Sequence, residues 1–503
     1  MMVCKLHDEG IRMKKIIALS AAAFLTTAVY AETDLQSQVD TLNKQLSSLQ
    51  KRVSKINIQS ANDNIKFDVD YRTSYDYLNY KTANGVEYTN GALLSSRLWL
   101  NMGYAPTNDL VFKGQLAYNK AFGSAATSTT TGYPQRGYGF DTFDWISSEA
   151  LNDDKIRLRE AYWLWMPKLG DAALTVSVGR RPSTNGYLAN LREADQKPKS
   201  PLGHVINMEF DGASAGVTYD KILPGFMFKL CLGRGLTNAK SWANQADSYT
   251  MQASTASTSP NYIEEDGALD TVDMAGFIFV PYDDGQYAVK TTWYRGMNVP
   301  GLTWGGTTPA ADAYALSTVG DMDGMAVSFK VDGIGNEISD FLDETTFFAS
   351  YAMSTTHPDG SNNHFDGVST VYQAATMLGS ADSETGSSIW LGVNMPNMTG
   401  GRFGLEYNQG DEYWRPFTYG EDTMIGSKLA TRGSAIEAYW SQPLIKKAFS
   451  MQVRYTSITY EYTGSDAFFG DGGMPLSMSQ AQAYNMDPVE KAQDLRVYFR
   501  YTY

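Results

Sequence analysis

From Ile65 onward the chain is patterned with a period of two. Ile65, Phe67, Val69, Tyr71, Thr73, Tyr75 and Tyr77 share one face of an extended segment, and Lys66, Asp68, Asp70, Arg72 and Asp76 share the other. Successive side chains of a β-strand point to opposite faces, so the alternation predicts strands. It recurs at Leu110, Phe112, Gly114, Leu116 and Tyr118, and again at Tyr287, Val289, Thr291 and Trp293. Met325, Val327, Phe329 and Val331 repeat it, as do Met451, Val453 and Tyr455. Ile156, Leu158, Tyr162 and Leu164 follow the same rule, except that Glu160 falls on their apolar side. About 16–18 such segments fit between Ile65 and Tyr503, and no apolar run after Asn64 approaches the roughly 18 residues that argue for a spanning helix.

Two architectures produce this pattern. A soluble sandwich turns the apolar face inward. A transmembrane antiparallel β-barrel turns it outward to lipid and lines its lumen with the polar face. The barrel is the expectation here. Aromatic residues gather near strand ends, at Tyr75, Tyr77 and Tyr80, at Trp163 and Trp165, and at Trp293 and Tyr294, as interfacial girdles require. The chain also alternates to its last residue, with Leu495, Val497, Phe499, Tyr501 and Tyr503 on one face and Arg496, Tyr498, Arg500 and Thr502 on the other. A final strand of this kind resembles the assembly signal of bacterial outer-membrane proteins, which implies the barrel assembly machinery and outer-membrane lipid as partners. Polar segments 123–155, 235–270, 297–322, 355–370 and 464–492 read as loops or as plugs folded inward, and residues 250–260 are of low complexity.

The N-terminal part follows other periods. Leu35, Val39, Leu42, Leu46, Leu49, Val53 and Ile56 are spaced 4, 3, 4, 3, 4 and 3, the seam of a coiled coil. Three heptads are marginal alone, so a homo-oligomer, a homotrimer among the options, is expected to hold them. Before it, Lys14 and Lys15 precede an apolar run over residues 16–29, and Val29-Tyr30-Ala31 offers small residues for cleavage. This is the form of a secretory signal peptide, with translation expected to start at Met13. The domain reading is a signal peptide over 1–31, a periplasmic coiled coil over 32–60 and a barrel over 61–503. The chain is thus expected in the outer membrane of a Gram-negative bacterium, with its N-terminus in the periplasm.

Composition narrows the function classes. The 32 Tyr, 22 Phe and 10 Trp exclude a disordered chain. A net charge of −14 argues against nucleic-acid binding, which needs a basic face. Cys4 and Cys231 are the two cysteines, too few for a disulfide framework or a cysteine metal site.

Three stretches carry a resemblance to a known family: VGRRPSTNGYLANLREAD (178–195), FGLEYNQGDEYWRPFTYGEDTMIGSKLATRGSAIEAYW (403–440) and YTGSDAFFGDGG (462–473). They resemble an uncharacterised family of Gram-negative outer-membrane proteins, filed as a domain of unknown function. The resemblance implies an outer-membrane barrel and no particular substrate. The order of signal, heptads and barrel is also similar to that of anion-selective and other trimeric porins.

The first candidate for chemistry is basic. Arg157, Arg159, Arg180 and Arg181 lie on or just after two strands, Arg192 and Glu193 follow, and segment 183–206 could fold into the pore as a constriction. Arginine is always charged and binds carboxylate or phosphate through two parallel bonds. The plainer alternative is that these arginines pair with Glu160, Glu193 and Asp195 and stabilise the wall. A second candidate spans 403–440, where Glu406, Arg415, Arg432 and Glu437 lie among aromatic residues, as a pore lining or a solvated loop network. Catalysis is not expected, because no nucleophile has a recognisable setting. His357, Asp359, His364 and Asp366 share one loop without diagnostic metal spacing, and no cofactor or metal is expected. The acidic turns Asp283-Asp284-Gly285 and Asp321-Met322-Asp323-Gly324 read as hairpin turns rather than calcium loops. The functional expectation is a porin-like channel for passive diffusion of small polar or charged solutes. The alternative is a non-conducting surface or scaffold barrel that binds a partner.

N-terminal sequencing of the exported protein is expected to begin at Glu32. That cut leaves 472 residues (503 − 31) and moves the net charge from −14 to −16, with Lys5, Arg12, Lys14, Lys15, Asp8 and Glu9 removed. A mature chain that keeps Lys14 and Lys15 contradicts the signal assignment.

Overall fold

The computed structural model describes residues 65–123, 156–181, 183–195, 198–240, 263–264, 270–304, 314–335, 338–359, 378–380, 382–418, 421–465 and 475–503. The signal peptide, the heptads and most of segments 123–155 and 235–270 lie outside them.

Sixteen antiparallel strands close into one barrel. They are β1 (Lys66–Thr82), β2 (Glu87–Tyr104), β3 (Leu110–Ala121), β4 (Arg157–Trp165), β5 (Ala172–Arg181), β6 (Phe210–Thr218), β7 (Met227–Leu236) and β8 (Val272–Asp283). The second half comprises β9 (Tyr287–Trp304), β10 (Tyr314–Asp332), β11 (Thr346–Pro358), β12 (Thr385–Pro396), β13 (Arg402–Gly410), β14 (Gly433–Ile445), β15 (Phe449–Tyr460) and β16 (Val489–Thr502). Each strand pairs with its sequence neighbours, and β1 pairs with β16 from Asp70↔Thr502 to Thr82↔Val489. Backbone bonds between Val69 and Tyr503, at 2.9 and 3.1 Å, finish the seam. Closure leaves no sheet edge, the condition for strands to cross lipid.

The alternation sets the two faces. Tyr71, Tyr75, Leu230, Leu232, Ile389, Ile436 and Phe499 point outward and are exposed, whereas Asp70, Arg72, Asp76, Glu406, Arg454 and Arg496 point inward and are buried. An apolar outside around a charged inside is the reverse of a water-soluble sandwich and is the outer-membrane barrel arrangement. At one end the strands are joined by short turns. Asp284 closes one of them by accepting from the backbone N–H groups of Gln286 and Tyr287, at 2.9 and 2.7 Å, and Gly285 adopts φ +94° there. Most of the long connections leave the other end, here termed the loop end.

Several sequence expectations are corrected. Glu160 is not an exception on a regular strand. Gln115 pairs with Glu160 and Leu116 with Leu158, so a bulge at Arg159 puts both Arg159 and Glu160 inside and reverses the facing of the residues that follow. Much of segment 297–322 is strand rather than loop, because β9 runs to Trp304 and β10 starts at Tyr314. Asp321 and Asp323 therefore lie within β10, not in a turn, and both accept from Arg295 on β9, at 2.8 and 3.2 Å. Segment 464–492 includes a short helix, Met478–Ala483, capped by Ser477 and Gln480, and the start of β16.

Inward aromatic rings lie on inward glycines of an adjacent strand: Tyr294 on Gly324, Phe348 on Gly392 and Tyr439 on Gly404. A Cβ at position 404 would sit 2.0 Å from the Tyr439 ring, whose hydroxyl accepts from Asn394 at 2.9 Å. Gly404→Ala is expected to destabilise the barrel by about 1–3 kcal/mol through overpacking. Gly103→Ala, with nothing within 4 Å of the added carbon, is expected to stay within about 0.5 kcal/mol of the parent. Urea unfolding followed by heat-modifiable gel mobility measures both, and equal effects would contradict the ring-on-glycine account.

Candidate functional site: the filled lumen

Two connections at the loop end turn inward instead of outward. The first insert, residues 183–209, joins β5 to β6, and the second, residues 411–432, joins β13 to β14. They meet inside the barrel: the Asn207 N–H donates to the Phe417 carbonyl at 2.7 Å, and the Phe417 N–H donates to the Val205 carbonyl at 2.9 Å. Within the first insert Gly186–Tyr187 pairs in parallel with Lys199–Leu202. Asn185, Leu188 and Ala194 adopt φ values of +51°, +78° and +55°. A buried leucine in the left-handed region is unusual, and it survives because the surrounding packing over-determines it.

The inserts divide the lumen into two regions. Against β9–β12 they pack apolar groups. Leu202, Val205, Ile206, Trp414 and Phe417 meet the inward Tyr294, Met322, Phe348 and Trp390, all buried. His204 sits in this packing with its Nδ1 2.9 Å from the Ser350 hydroxyl and its Nε2 3.0 Å from the Ser388 hydroxyl. The rings of Trp390 and Trp414 stand edge-on to it, each 5.6 Å away. Burial alone holds the His204 imidazole at about 3, so it stays neutral at physiological pH.

Against β13–β16, β1 and β2 the contacts are ionic. Asp422 of the second insert accepts from Arg72 Nη2 at 2.8 Å and from Arg496 Nη1 at 3.0 Å. Arg192 of the first insert reaches Glu421 at 3.2 Å and Glu437 at 3.3 Å. Lys428 contacts both Glu406, at 2.6 Å, and Glu437. Arg500 binds Asp70 through two nitrogens and donates to the Glu193 carbonyl at 3.1 Å. Such pairing is what permits charge in a space closed to water. Burial and the Asp422 carboxylate push the Glu193 carboxyl up, but the Arg192, Arg72 and Arg454 guanidiniums outweigh them and hold it below the usual carboxylate range. Burial likewise opposes ionisation of Asp422, and Arg72 and Arg496 reverse it, leaving that carboxyl well below its ordinary value.

The sequence-derived residues distribute as follows. Arg192, Glu193, Glu406 and Glu437 come together in the ionic region. Arg159 lies elsewhere, donating to Gln115 at 2.5 Å, contacting Glu209 at 3.3 Å and covering the Trp99 ring at 4.2 Å. Arg180, next to last on β5, lies beside Asp211 at 3.5 Å. Arg181 faces a small cavity of about 70 Å³ shared with Ser183, Cys231 and Gly233. Arg157 is half-buried at the start of β4. Arg415 is buried and ties its backbone N–H to the Ser354 hydroxyl at 3.0 Å. Arg432 braces the second insert by donating to the carbonyls of Trp414 and Thr463, at 3.1 and 2.9 Å. The arginines therefore do not form one ladder. His357 contacts Asp323 at 2.6 Å, and His364 and Asp366 lie outside the described residues.

Arg72, Asp422, Arg454 and Arg496 are central to the network; Asp422 lies within the second candidate stretch, 403–440, whereas the three arginines were not among the sequence candidates. The signal for three of them existed: Arg72, Arg454 and Arg496 each occupy the polar face of an alternating strand. Nothing local marks Asp422 as their common partner, 350 residues from Arg72.

Asp422→Ala is expected to cost about 3–5 kcal/mol, because Arg72 would lose its bidentate carboxylate inside the barrel and Arg496 would lose one of its carboxylate partners. The acid limb follows from the lowered carboxyls. The Glu193 contribution is complete above its ordinary value of 4.5 and is lost as pH falls towards about 2, and that of Asp422, whose carboxyl is also lowered, is lost in the same direction. Denaturant unfolding at stepped pH should show that loss in the parent and less of it in Asp422→Ala, and parallel pH profiles would refute the role given to Asp422.

A family model described as "Protein of unknown function (DUF3373)" matches residues 87–503. No curated protein matches the chain. Among solved structures, the chain is similar to an anion-selective porin from Comamonas acidovorans, at 12% identity over 88% of this chain and 99% of that one, with a TM-score of 0.46. It is also similar to OprB of Pseudomonas putida, at 11% identity over 90% and 96%, with a TM-score of 0.45. The trimer form of OmpT of Vibrio cholerae gives 11% identity over 88% and 99%, with a TM-score of 0.41.

Proposed function

We infer that this chain, which belongs to that family, is a porin-like channel of the outer membrane that admits small polar or charged solutes by a restricted path. The observation that carries this reading is the interior itself. Inward strand positions hold paired charges and hydroxyls, a lining that suits hydrated or charged solutes and not apolar ones. The inserts leave little room. Among the described residues, every strand except β7 has at least one buried inward side chain. On β7 the inward Met227, Lys229, Cys231 and Gly233 stay half-buried, and in this reading the solute path runs along that sector. In this reading the protein filters by size and charge, performs no catalysis, and assembles as a homotrimer through residues 35–56.

The same burial favours a second reading, a sealed barrel that acts through its surface. Single-channel recording of the refolded full chain in a planar bilayer separates the two. Discrete open steps with salt-dependent selectivity are expected. A sealed bilayer, with the barrel shown to be folded by heat-modifiable mobility, would transfer the assignment to the non-conducting surface barrel.

A further inference from the structure

Arg181, the last residue of β5, points inward beside the half-open sector, and no carboxylate among the described residues pairs with it. Its Nη1 is buried without a hydrogen-bond partner. Cys231 and Tyr162 are the groups that act on its charge, and neither is a carboxylate. The acidic residues close to it in sequence order are committed elsewhere. Glu209, at the end of the first insert, is engaged by Arg159 at 3.3 Å and by the Thr184 hydroxyl at 2.6 Å. Asp211 faces outward and meets Arg180 at 3.5 Å. A buried polar group without a partner calls for an account, and a bound ion is one. The space beside Arg181 narrows the choice. It is the cavity of about 70 Å³ between the first insert and the wall of β5–β9. Ile206 of the insert and Phe210, Met274 and Ile278 of the wall make that hollow largely apolar. The Thr292 hydroxyl in its lining already accepts from the Leu202 N–H at 3.2 Å. A water needs roughly 10–15 Å³ of such space, so the hollow takes a solute of a few heavy atoms.

We propose that Arg181 binds the carboxylate of a short-chain monocarboxylic acid, whose alkyl chain fills the hollow between the first insert and β5–β9. A guanidinium presents parallel N–H donors that match a carboxylate, and the bound anion supplies both the acceptor that Nη1 lacks and the missing counter-charge. Each methylene removed from water against Phe210, Met274 and Ile278 adds to the affinity, which a bare inorganic anion cannot do. A mostly apolar pocket with a single well-placed polar group is the usual form of a small-molecule site. The hollow also adjoins the solute path, since Cys231 and Gly233 belong both to its lining and to the half-buried inward row of β7. The site deepens the channel reading by naming a solute class. It rests on that reading only for its physiological meaning, because binding is scored without current.

The test is calorimetric titration of the folded full chain in detergent with butyrate, with its neutral counterpart butyramide and with inorganic phosphate. Saturable binding of one butyrate per barrel is expected. Butyramide lacks the charge and phosphate lacks the chain, so each should bind at least about tenfold more weakly. Arg181→Gln should weaken butyrate about tenfold, and Arg181→Lys, which keeps the charge without the fork, by a smaller factor at unchanged heat-modifiable mobility. Because Cys231 lines the same hollow, butyrate should also slow its modification by a small methanethiosulfonate reagent, read by peptide mass. That protection and the butyramide comparison need no variant and carry the test should the Arg181 variants fail to fold. No saturable butyrate binding, equal affinity for butyramide or phosphate, or unchanged affinity in folded Arg181→Gln overturns the proposal. Butyrate bound by a barrel that passes no current keeps the site and removes only the channel reading, and a conducting barrel that binds no butyrate does the reverse.

Discussion

Every backbone amide that faces lipid must find its partner within the protein, and the β1–β16 seam is where this chain meets that requirement. The rest of the architecture is a consequence. Sixteen strands enclose more space than wall side chains can fill. The chain fills that space with its own connections, and two of them fold back through the loop end and meet across the lumen. Rings lying on glycines of the adjacent strand, as Tyr439 does on Gly404, complete the lining.

The charges in the interior follow from the same inversion. With lipid taking the apolar face, the polar face turns inward, and the inserts then deprive those groups of water. Single buried charges would be intolerable there. The structure accepts them in a shared lattice in which Asp422 serves two arginines and Glu437 serves Arg192 and Lys428. Buried ion pairs of this kind add little net stability over apolar packing, but removing one member is costly. Their effect is positional: they hold each insert at one depth against β14–β16 and β1. The apolar packing around His204 does the same on the opposite side without charge. The β7 sector belongs to neither region, and its inward side chains stay half-buried.

Much of this was legible from local pattern. The strand faces, the alternating last strand and the polar character of the interior all follow from a period of two, since the facing of a side chain depends only on its parity along the strand. Where parity breaks, as at Glu160, the break could be seen but not its cause, because a bulge is defined by the partner strand. The loop assignment of 297–322 failed for a related reason. Its polar residues pair with strands on both sides, and polarity alone does not distinguish a loop from a strand that outruns the membrane.

Strand parity was enough to tell lipid-facing from lumen-facing residues, except beyond the β4 bulge, and the charged stretches 183–206 and 403–440 stood out in the sequence. Only the tertiary structure decided who pairs with whom. Arg72 meets Asp422 across 350 positions, and Arg496 meets Asp76 across 420. Such partners are chosen by closure of the ring and by the depth of the inserts. Both are long-range properties, to which the periodicity of a single strand is blind.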